Sequence, residues 1–368
     1  MKICIVIGPF FPMPPYKSGA VEKRWYSLGK YFEKKKHQII YISREYKNLK
    51  NFEKKNKITH IRIKSHENSS NFLLSKYYDF RYSLKAIAKI PEDIDIIISN
   101  TFFLPILIKE KFKKKLIIDV QRMPKKQFFL YKKIARFRAN SKIVYDKIID
   151  ELGVNYKKNV KLIPNFLENN LKKKIIKKFN NKILYTGRIH KEKGLEILIQ
   201  AFKKIKNKAE LEIIGPYKIN EGGSGIEYFE YLKLISKDFN IKFSKAIYDK
   251  KKLQTKYKKA SIFVYPSIAE GETFGVAPLE AMSYGCATIV SNLECFRDFI
   301  KNNKNGLTFN HKKNAINNLY KKLIFLIENK RIYSKISNNS QKVNKTHSLE
   351  KIGEEFLKDF NYINKRNI

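Results

Sequence analysis

The stretch EGETFGVAPLEAMSYG, residues 270–285, predicts the local structure around which the rest of the chain is organised. It follows the apolar run 260–265, so we expect a buried strand, a short loop and then a helix. Pro278 suits the first turn of that helix, because the N–H that proline lacks has no partner there. Gly285 suits the position just after the helix, where a left-handed backbone is common.

The loop between this strand and helix is a candidate anion site. A glycine-containing loop that runs into a helix presents free N–H groups and a positive dipole end, which together favour a phosphate. Glu272 and Glu280 flank the loop. Because a carboxylate can accept two hydrogen bonds, each matches a pair of sugar hydroxyls. The layout suits a nucleotide-sugar, and the alternative is a buried strand followed by an amphipathic helix with two solvated glutamates.

The spacing E-x7-E, with FG between the two glutamates, resembles the signature of family 4 glycosyltransferases, which are retaining enzymes. The resemblance implies the α/β fold called GT-B, in which two Rossmann-like, doubly wound domains face each other across a cleft. It also implies a nucleotide-diphosphate sugar as the donor substrate, no cofactor and no metal.

Length and composition are consistent with a globular protein of two domains. The chain has 368 residues, of which 43% are hydrophobic and 30% charged. No apolar run approaches the ~20 residues that span a bilayer, so we expect a cytoplasmic protein. Cys4, Cys286 and Cys295 form no CxxC pair and are expected to be reduced, structural thiols.

The formal net charge of +43 allows three interpretations. The lysines are spread over nearly every segment, which is typical of a compositional bias acting on solvated positions. Attraction to an anionic membrane surface, peripheral on its inner face, is a second interpretation. Specific nucleic-acid binding is disfavoured, because the sequence has no basic motif interleaved with aromatic residues and no zinc-ligand spacing.

The first 166 residues predict a Rossmann-like acceptor domain. A strand at 2–7, a proline-rich loop at 8–17, a helix at 21–35 and a strand at 38–42 form a βαβ unit. The dinucleotide fingerprint G-x-G-x-x-G is absent from the loop.

Two features of this domain are similar to family 4. The stretch SGAVE, which contains Gly19, matches a first-strand loop that carries donor phosphate in the family, although an ordinary flexible loop is the alternative. Gln121 stands at a strand end where many family members have a histidine, so the resemblance assigns an amide to that catalytic position. Asp93 and Asp95 form a D-x-D pattern that we interpret as a solvated turn.

Residues 167–345 predict the donor domain, and residues 346–368 a helix that crosses back to the first domain. The polar, lysine-rich stretch 168–178 is a plausible linker. A strand at 182–186 precedes GRIHKEKG, and a helix is expected at 192–205. Gly222, Gly223 and Gly225 are interpreted as a surface connection.

The resemblance also implies roles for individual residues. Arg188 and Lys193 match the basic pair that binds the donor diphosphate, helped by the amides of Phe274 and Gly275. Glu280 would bind the ribose and Glu272 the donor sugar, to which Thr273 adds a hydroxyl.

The function expected from these roles is sugar transfer to a glycan or lipid-linked acceptor in polysaccharide or glycoconjugate synthesis. Donor and acceptor are expected to meet in the cleft. The alternatives are a sugar epimerase or phosphorylase of the same fold, and a non-catalytic protein that binds polyanions or a membrane surface.

Overall fold

The structure is a computed structural model that describes residues 1–16, 19–67, 69, 71–131, 133–168, 171, 174–206 and 208–366. Lys17 and Ser18 of the first predicted loop, and four residues of the predicted linker, lie outside the described residues. The chain divides into two compact units, Met1–Glu168 with Ser348–Ile368, and Asn169–His347.

The first unit contains an eight-stranded sheet in the order β3-β4-β2-β1-β5-β6-β7-β8. All neighbours pair in parallel except β3 and β4. The central strands are short runs rich in isoleucine, which is typical of parallel strands buried on both faces. The strands are β1 Lys2–Val6, β2 Gln38–Arg44, β3 Phe52–Lys55, β4 Ile58–Ile63, β5 Ile96–Ser99, β6 Leu116–Val120, β7 Arg136–Ala139 and β8 Val160–Leu162.

Helices cover both faces of this sheet. Ile3 and Ile5 of β1 pack in one core with Trp25, whereas Cys4 and Val6 pack in the core on the other face. This alternation follows from the period of two in a strand. The helices are α1 Ala20–Lys34, α2 Phe72–Ile87, α3 Leu104–Leu107, α4 Glu110–Lys113 and α5 Lys142–Leu152.

The second unit contains a six-stranded sheet in which all neighbours pair in parallel. Its order is β11-β10-β9-β12-β13-β14, which is the order 3-2-1-4-5-6 of dinucleotide-binding folds. The strands are β9 Lys182–Thr186, β10 Glu210–Ile214, β11 Ile241–Ser244, β12 Ile262–Tyr265, β13 Ala287–Ser291 and β14 Leu307–Phe309.

Seven α-helices of the described residues belong to this unit. They are α6 Leu195–Lys203, α7 Ile226–Ile235, α8 Lys250–Lys259, α9 Val276–Ser283, α10 Ala315–Glu328, α11 Lys330–Ser340 and α12 Val343–Thr346. Helix α9 ends as its sequence predicts, because Gly285 has a φ of 77° and follows the last helical turn. The amides of Gly285 and Cys286 bond back to Met282 and Ala281, at 2.9 and 3.0 Å, and satisfy carbonyls at the helix end.

The last helix, α13 Leu349–Lys365, packs against α1 of the first unit. The Trp25 and Phe356 rings meet edge to face, with centroids 5.4 Å apart. Arg136 of β7 forms a buried, two-point ion pair with Asp359 at 3.0 and 2.8 Å. The chain therefore ends in the unit in which it began.

The predicted fold class, α/β with two doubly wound domains, is confirmed by these two sheets. Helix α9 begins at Val276, so Pro278 occupies its third position. Four of the strands and α-helices described above were not predicted: α7, which directly follows a glycine run, α11, α12, and the polar edge strand β3. None of the helices in the described part of the chain is both long and apolar enough to cross a membrane.

Candidate active site

Most of the predicted site residues lie near the point where the strand order of the six-stranded sheet reverses, between β9 and β12. Strands β9 and β12 are parallel neighbours, and the strand order runs outward in opposite directions on either side of this pair. Ligands of open α/β sheets bind outside the carboxyl ends of the strands at such a point. Arg188 follows β9, and Glu272 lies in the loop after β12.

A close backbone approach joins these two loops. Gly194, with a φ of 67°, ends the 3-10 turn Lys191–Lys193, and a Cβ added there would lie 2.2 Å from the carbonyl oxygen of Pro266. The amide of Ile268 donates to the carbonyl of Glu192 at 2.9 Å. Glycine is therefore required for Lys193 to reach the loop after β12.

Lys193 and Glu272 form an ion pair that is largely shielded from solvent. The Lys193 Nζ lies 2.8 Å from Glu272 Oε2, and the two side chains are 8% and 14% exposed. The hydroxyl of Tyr265 lies 3.2 Å from the same oxygen. Burial and the Glu272 carboxylate raise the pKa of Tyr265 well above its usual value, so this phenol stays protonated and donates.

Arg188 and Lys193 converge on a single anionic atom. Arg188 Nη2 lies 2.8 Å from Glu192 Oε1, and Lys193 Nζ lies 3.5 Å from that same oxygen. Arg188 Nη1 also donates to the carbonyl of Gly222 at 2.8 Å. The glycine loop after β10, predicted to be only a surface connection, therefore positions the guanidinium.

Glu280 is held by a second tyrosine. It lies in the second turn of α9, and Tyr257 Oη is 3.2 Å from its Oε2. The same phenol oxygen is 2.8 Å from Thr186 Oγ1 at the end of β9. Burial, and then the charge of Glu280, raise the pKa of Tyr257 well above its usual value.

The residues between the two glutamates have different environments. The Phe274 ring is buried against Phe299 and His347, with centroids 5.3 and 6.1 Å away, so the side chain belongs to the core. Only the backbone of Phe274 is left for a ligand. Thr273 is partly buried, and Gly275 caps the amino end of α9 with a φ of 81°.

Replacing Gly275 with alanine is expected to lower the free energy of unfolding by about 2–4 kcal/mol. The left-handed backbone costs an L-residue about 1–2 kcal/mol, and overpacking adds about 1–3 kcal/mol. The new Cβ would lie 2.4 Å from Phe296 Cε1. Urea unfolding measures the loss. Gly271→Ala is the matched control, because no atom lies within 4 Å of a Cβ there, and equal losses in both variants would contradict the prediction.

Gln121 and Gly19 lie in the first unit. Gln121 follows β6, and its amide nitrogen donates to Asp119 Oδ1 at 2.5 Å. Arg138 donates to the same oxygen at 2.8 Å, and the indole of Trp25 donates to the other carboxylate oxygen at 2.9 Å. The Gln121 amide is therefore oriented by a buried, fully engaged carboxylate.

Gly19 precedes α1 and is buried. A Cβ at this position would lie 1.7 Å from Glu22 Oε2, so glycine permits the close approach of that side chain. Burial raises the pKa of Glu22. Glu22 and Asp119 were not singled out in the sequence, although acidic residues are the rarer charged type in this chain.

Several contacts of the site had no sequence signal. Glu192, Tyr257 and Tyr265 touch the predicted residues, yet the chain has 22 tyrosines and no spacing distinguishes these two. Among the described residues, no group of three or more His, Cys, Asp or Glu side chains is arranged to hold a metal ion.

Residues 167–343 match the family described as glycosyl transferases group 1. The matched stretch covers most of the second unit, and the match agrees with the transferase class expected from the sequence.

Two curated relatives support this assignment. An uncharacterized glycosyltransferase of Methanocaldococcus jannaschii is 25% identical, over 93% of this chain and 95% of the relative. The capsular polysaccharide biosynthesis glycosyltransferase CapM of Staphylococcus aureus is 28% identical, over 60% of this chain and 57% of the relative. Two further glycosyltransferases, of M. jannaschii and Haemophilus influenzae, are matched over only 30% and 50% of their own length.

Solved structures share the fold along nearly the whole chain. Sucrose-phosphate synthase of Thermosynechococcus elongatus superimposes with a TM-score of 0.77, at 15% identity and 98% coverage of both chains. The Anabaena protein HepE, solved in complex with UDP and glucose, gives a TM-score of 0.73 at 16% identity, over 98% of this chain and all of HepE.

Proposed function

We propose that the protein transfers a sugar from a nucleotide-diphosphate donor to a glycan or lipid-linked acceptor, with retention at the anomeric carbon. The domain of the glycosyl transferases group 1 family supports the transfer. The E-x7-E spacing of Glu272 and Glu280 supports the assignment to family 4 and hence the retaining outcome. The similarity to CapM supports a role in polysaccharide synthesis.

One observation carries the proposal. Arg188 and Lys193 both contact the same carboxylate oxygen, Glu192 Oε1, and Lys193 also pairs with Glu272 in the loop before α9. An oxygen of a donor diphosphate can take the place of that carboxylate oxygen, because both are anionic acceptors of the same size. The solved complex of HepE with UDP supports a nucleoside diphosphate as the ligand of this fold.

The chemistry follows from where charge develops. The bond between the anomeric carbon and the diphosphate oxygen breaks, and the diphosphate leaves with additional negative charge. The acceptor hydroxyl oxygen forms the new bond to the anomeric carbon, and its proton passes to the departing diphosphate. Fixed cations at the leaving group stabilise this transition state. We assign that function to Arg188, Lys193 and the amides of Phe274 and Gly275.

The carboxylates and the amide keep the roles that the resemblance implies. Glu280 binds the ribose, and Glu272 binds the donor sugar with the hydroxyl of Thr273. Gln121 is the proposed catalytic amide, whose orientation is fixed by Asp119. Gly19 is proposed to allow donor phosphate to approach the first loop. No metal or other cofactor is assigned to the reaction.

A donor screen tests the proposal. We expect a nucleotide-diphosphate sugar to raise the melting temperature, since a ligand that binds only the folded state stabilises it. With that donor, free nucleotide should appear only when an acceptor is present. Sugar isomerisation without an acceptor would favour an epimerase, and phosphate-dependent release of sugar phosphate would favour a phosphorylase. Absence of any nucleotide binding would contradict the proposal.

The Tyr265→Phe variant is expected to lower kcat by roughly 10- to 100-fold with little change in KM. A hydrogen bond to a charged group contributes about 1.5–3 kcal/mol, and Tyr265 donates one to Glu272. Tyr265 is therefore a positioning residue. Steady-state kinetics measure the split between kcat and KM, with Tyr231→Phe on the exposed face of α7 as the control. A raised KM with normal kcat would contradict this role.

A further inference from the structure

Helix α2 of the first unit exposes apolar side chains along one stripe. Leu73, Tyr77 and Leu84 are 76%, 50% and 47% exposed, and Phe72 at the start of the helix is also exposed. Their spacing of four and seven residues places Leu73, Tyr77 and Leu84 on one line along the helix. Exposed apolar side chains that gather on one face mark an interaction surface.

Basic side chains border this stripe. Exposed Arg81 and Lys85 lie on the next helical line, where Arg81 Nη1 donates to Tyr77 Oη at 3.0 Å. The single acidic residue of α2, Asp79, is buried and accepts hydrogen bonds from the amides of Phe102 and Phe103. The exposed face of α2 is therefore apolar and cationic, with no carboxylate.

A cavity of about 490 Å³ opens beside this face. Its lining contains three cations, of Lys64, Arg81 and Lys85, and no carboxylate. The buried Ser65 Oγ in the lining has no hydrogen-bond partner among the described residues. The remaining lining is formed by His66, Leu74, Tyr77 and Tyr78. A hydroxyl and three cations at the edge of an apolar stripe match a phosphate attached to acyl chains.

We propose that the α2 face, defined by Leu73, Leu74, Tyr77, Arg81, Leu84 and Lys85, docks onto a bilayer of anionic phospholipid. The apolar stripe enters the boundary between headgroups and acyl chains. The basic cavity beside it binds a lipid phosphate. An amphipathic helix that carries cations at the edge of its apolar face has the features of an interfacial helix.

A contrast within the chain supports the choice of partner. Helix α7 also exposes apolar residues, with Ile226 and Leu234 54% and 71% exposed. It carries Glu227 and Glu230 among them, and an anionic surface repels these carboxylates. Of these two helices, α2 alone combines exposed apolar side chains with cations, those of Arg81 and Lys85, and no exposed carboxylate. The α2 face belongs to the first unit and contains none of the residues proposed to bind the donor, so the proposal goes beyond the transfer reaction.

Vesicle sedimentation of the full chain tests this proposal. We expect the protein to pellet with vesicles of phosphatidylcholine mixed with phosphatidylglycerol, and not with phosphatidylcholine alone. The Arg81→Glu/Lys85→Glu variant should bind at least about 30-fold more weakly, since each Lys or Arg near an anionic surface contributes about fivefold. The Leu73→Ser/Leu84→Ser variant should bind at least about 10-fold more weakly, because two exposed leucines no longer enter the bilayer.

Matched controls separate this face from the general charge of the chain. Lys330→Glu/Arg331→Glu reverses two exposed charges on α11, and Ile226→Ser/Leu234→Ser removes two exposed apolar side chains from α7. Both controls should bind vesicles like the unsubstituted protein, and all four variants should keep its melting temperature and its binding of UDP. Equal losses in the controls, unchanged binding of the α2 variants, or no binding to anionic vesicles would each overturn the proposal.

Discussion

Replacing Arg188 with alanine is expected to lower kcat/KM for the donor by roughly 10²- to 10³-fold, the usual effect of removing one preorganised donor from a developing anion. The guanidinium is held by the Gly222 carbonyl and by Glu192, each at 2.8 Å, so it is fixed before substrate arrives. Its side chain is 45% exposed, which leaves it accessible to a ligand. Stability should change little, because no buried charge loses its partner.

Two further variants make this result specific. Arg188→Lys keeps the charge but loses the planar fork, so we expect a loss smaller than that of the alanine variant. Arg331→Ala removes an exposed arginine of α11 that is not among the proposed site residues, so it should leave kcat/KM unchanged. Steady-state donor turnover measures all three. A near-normal rate for Arg188→Ala would remove this residue from the leaving-group site.

Replacing Lys193 with methionine is expected to lower the free energy of unfolding by about 3–5 kcal/mol, and also to reduce kcat/KM. Removal of one partner from a buried ion pair leaves the other charge uncompensated. Here the orphaned charge is the Glu272 carboxylate, which among the described residues would keep the hydrogen bond from the hydroxyl of Tyr265. Equilibrium urea unfolding measures the stability, and donor turnover measures the activity.

The matched control and a double variant distinguish stability from catalysis. Lys191→Met changes an exposed lysine of the same 3-10 turn, and its effect should stay within about 0.5 kcal/mol. Lys193→Met/Glu272→Gln removes both charges and should regain part of the lost stability while activity stays low. Full stability of Lys193→Met, or activity restored in the double variant, would contradict the proposed pair.

The fold was predictable because its strands and helix ends carry local signals. The strand 182–186 has the predicted bounds, since it is a compact apolar run bordered by polar residues. Gly285 ends α9 as predicted, because its backbone conformation favours glycine. The polar strand β3, FEKK, has no such signal, and it forms by antiparallel pairing with β4 at the sheet edge.

The site was predictable in part. Motif signals mark Arg188, Lys193 and Glu272. The loops that carry these residues follow β9 and β12, where the strand order of the sheet reverses. Which groups hold them depended on tertiary contacts. Tyr265 contacts Glu272 from the end of β12, and Gly222 contacts Arg188 from 34 positions further along the chain. Neither contact follows from a periodic pattern in the sequence, so the sequence alone does not indicate either one.

The most direct measurement is a crystal structure of the protein with bound UDP. We predict diphosphate oxygens within hydrogen-bond distance of the Arg188 guanidinium and the Lys193 ammonium group, beside the first turn of α9. The ribose hydroxyls should contact Glu280. A nucleotide bound elsewhere on the chain, with Arg188 still paired to Glu192, would contradict the assignment of this site.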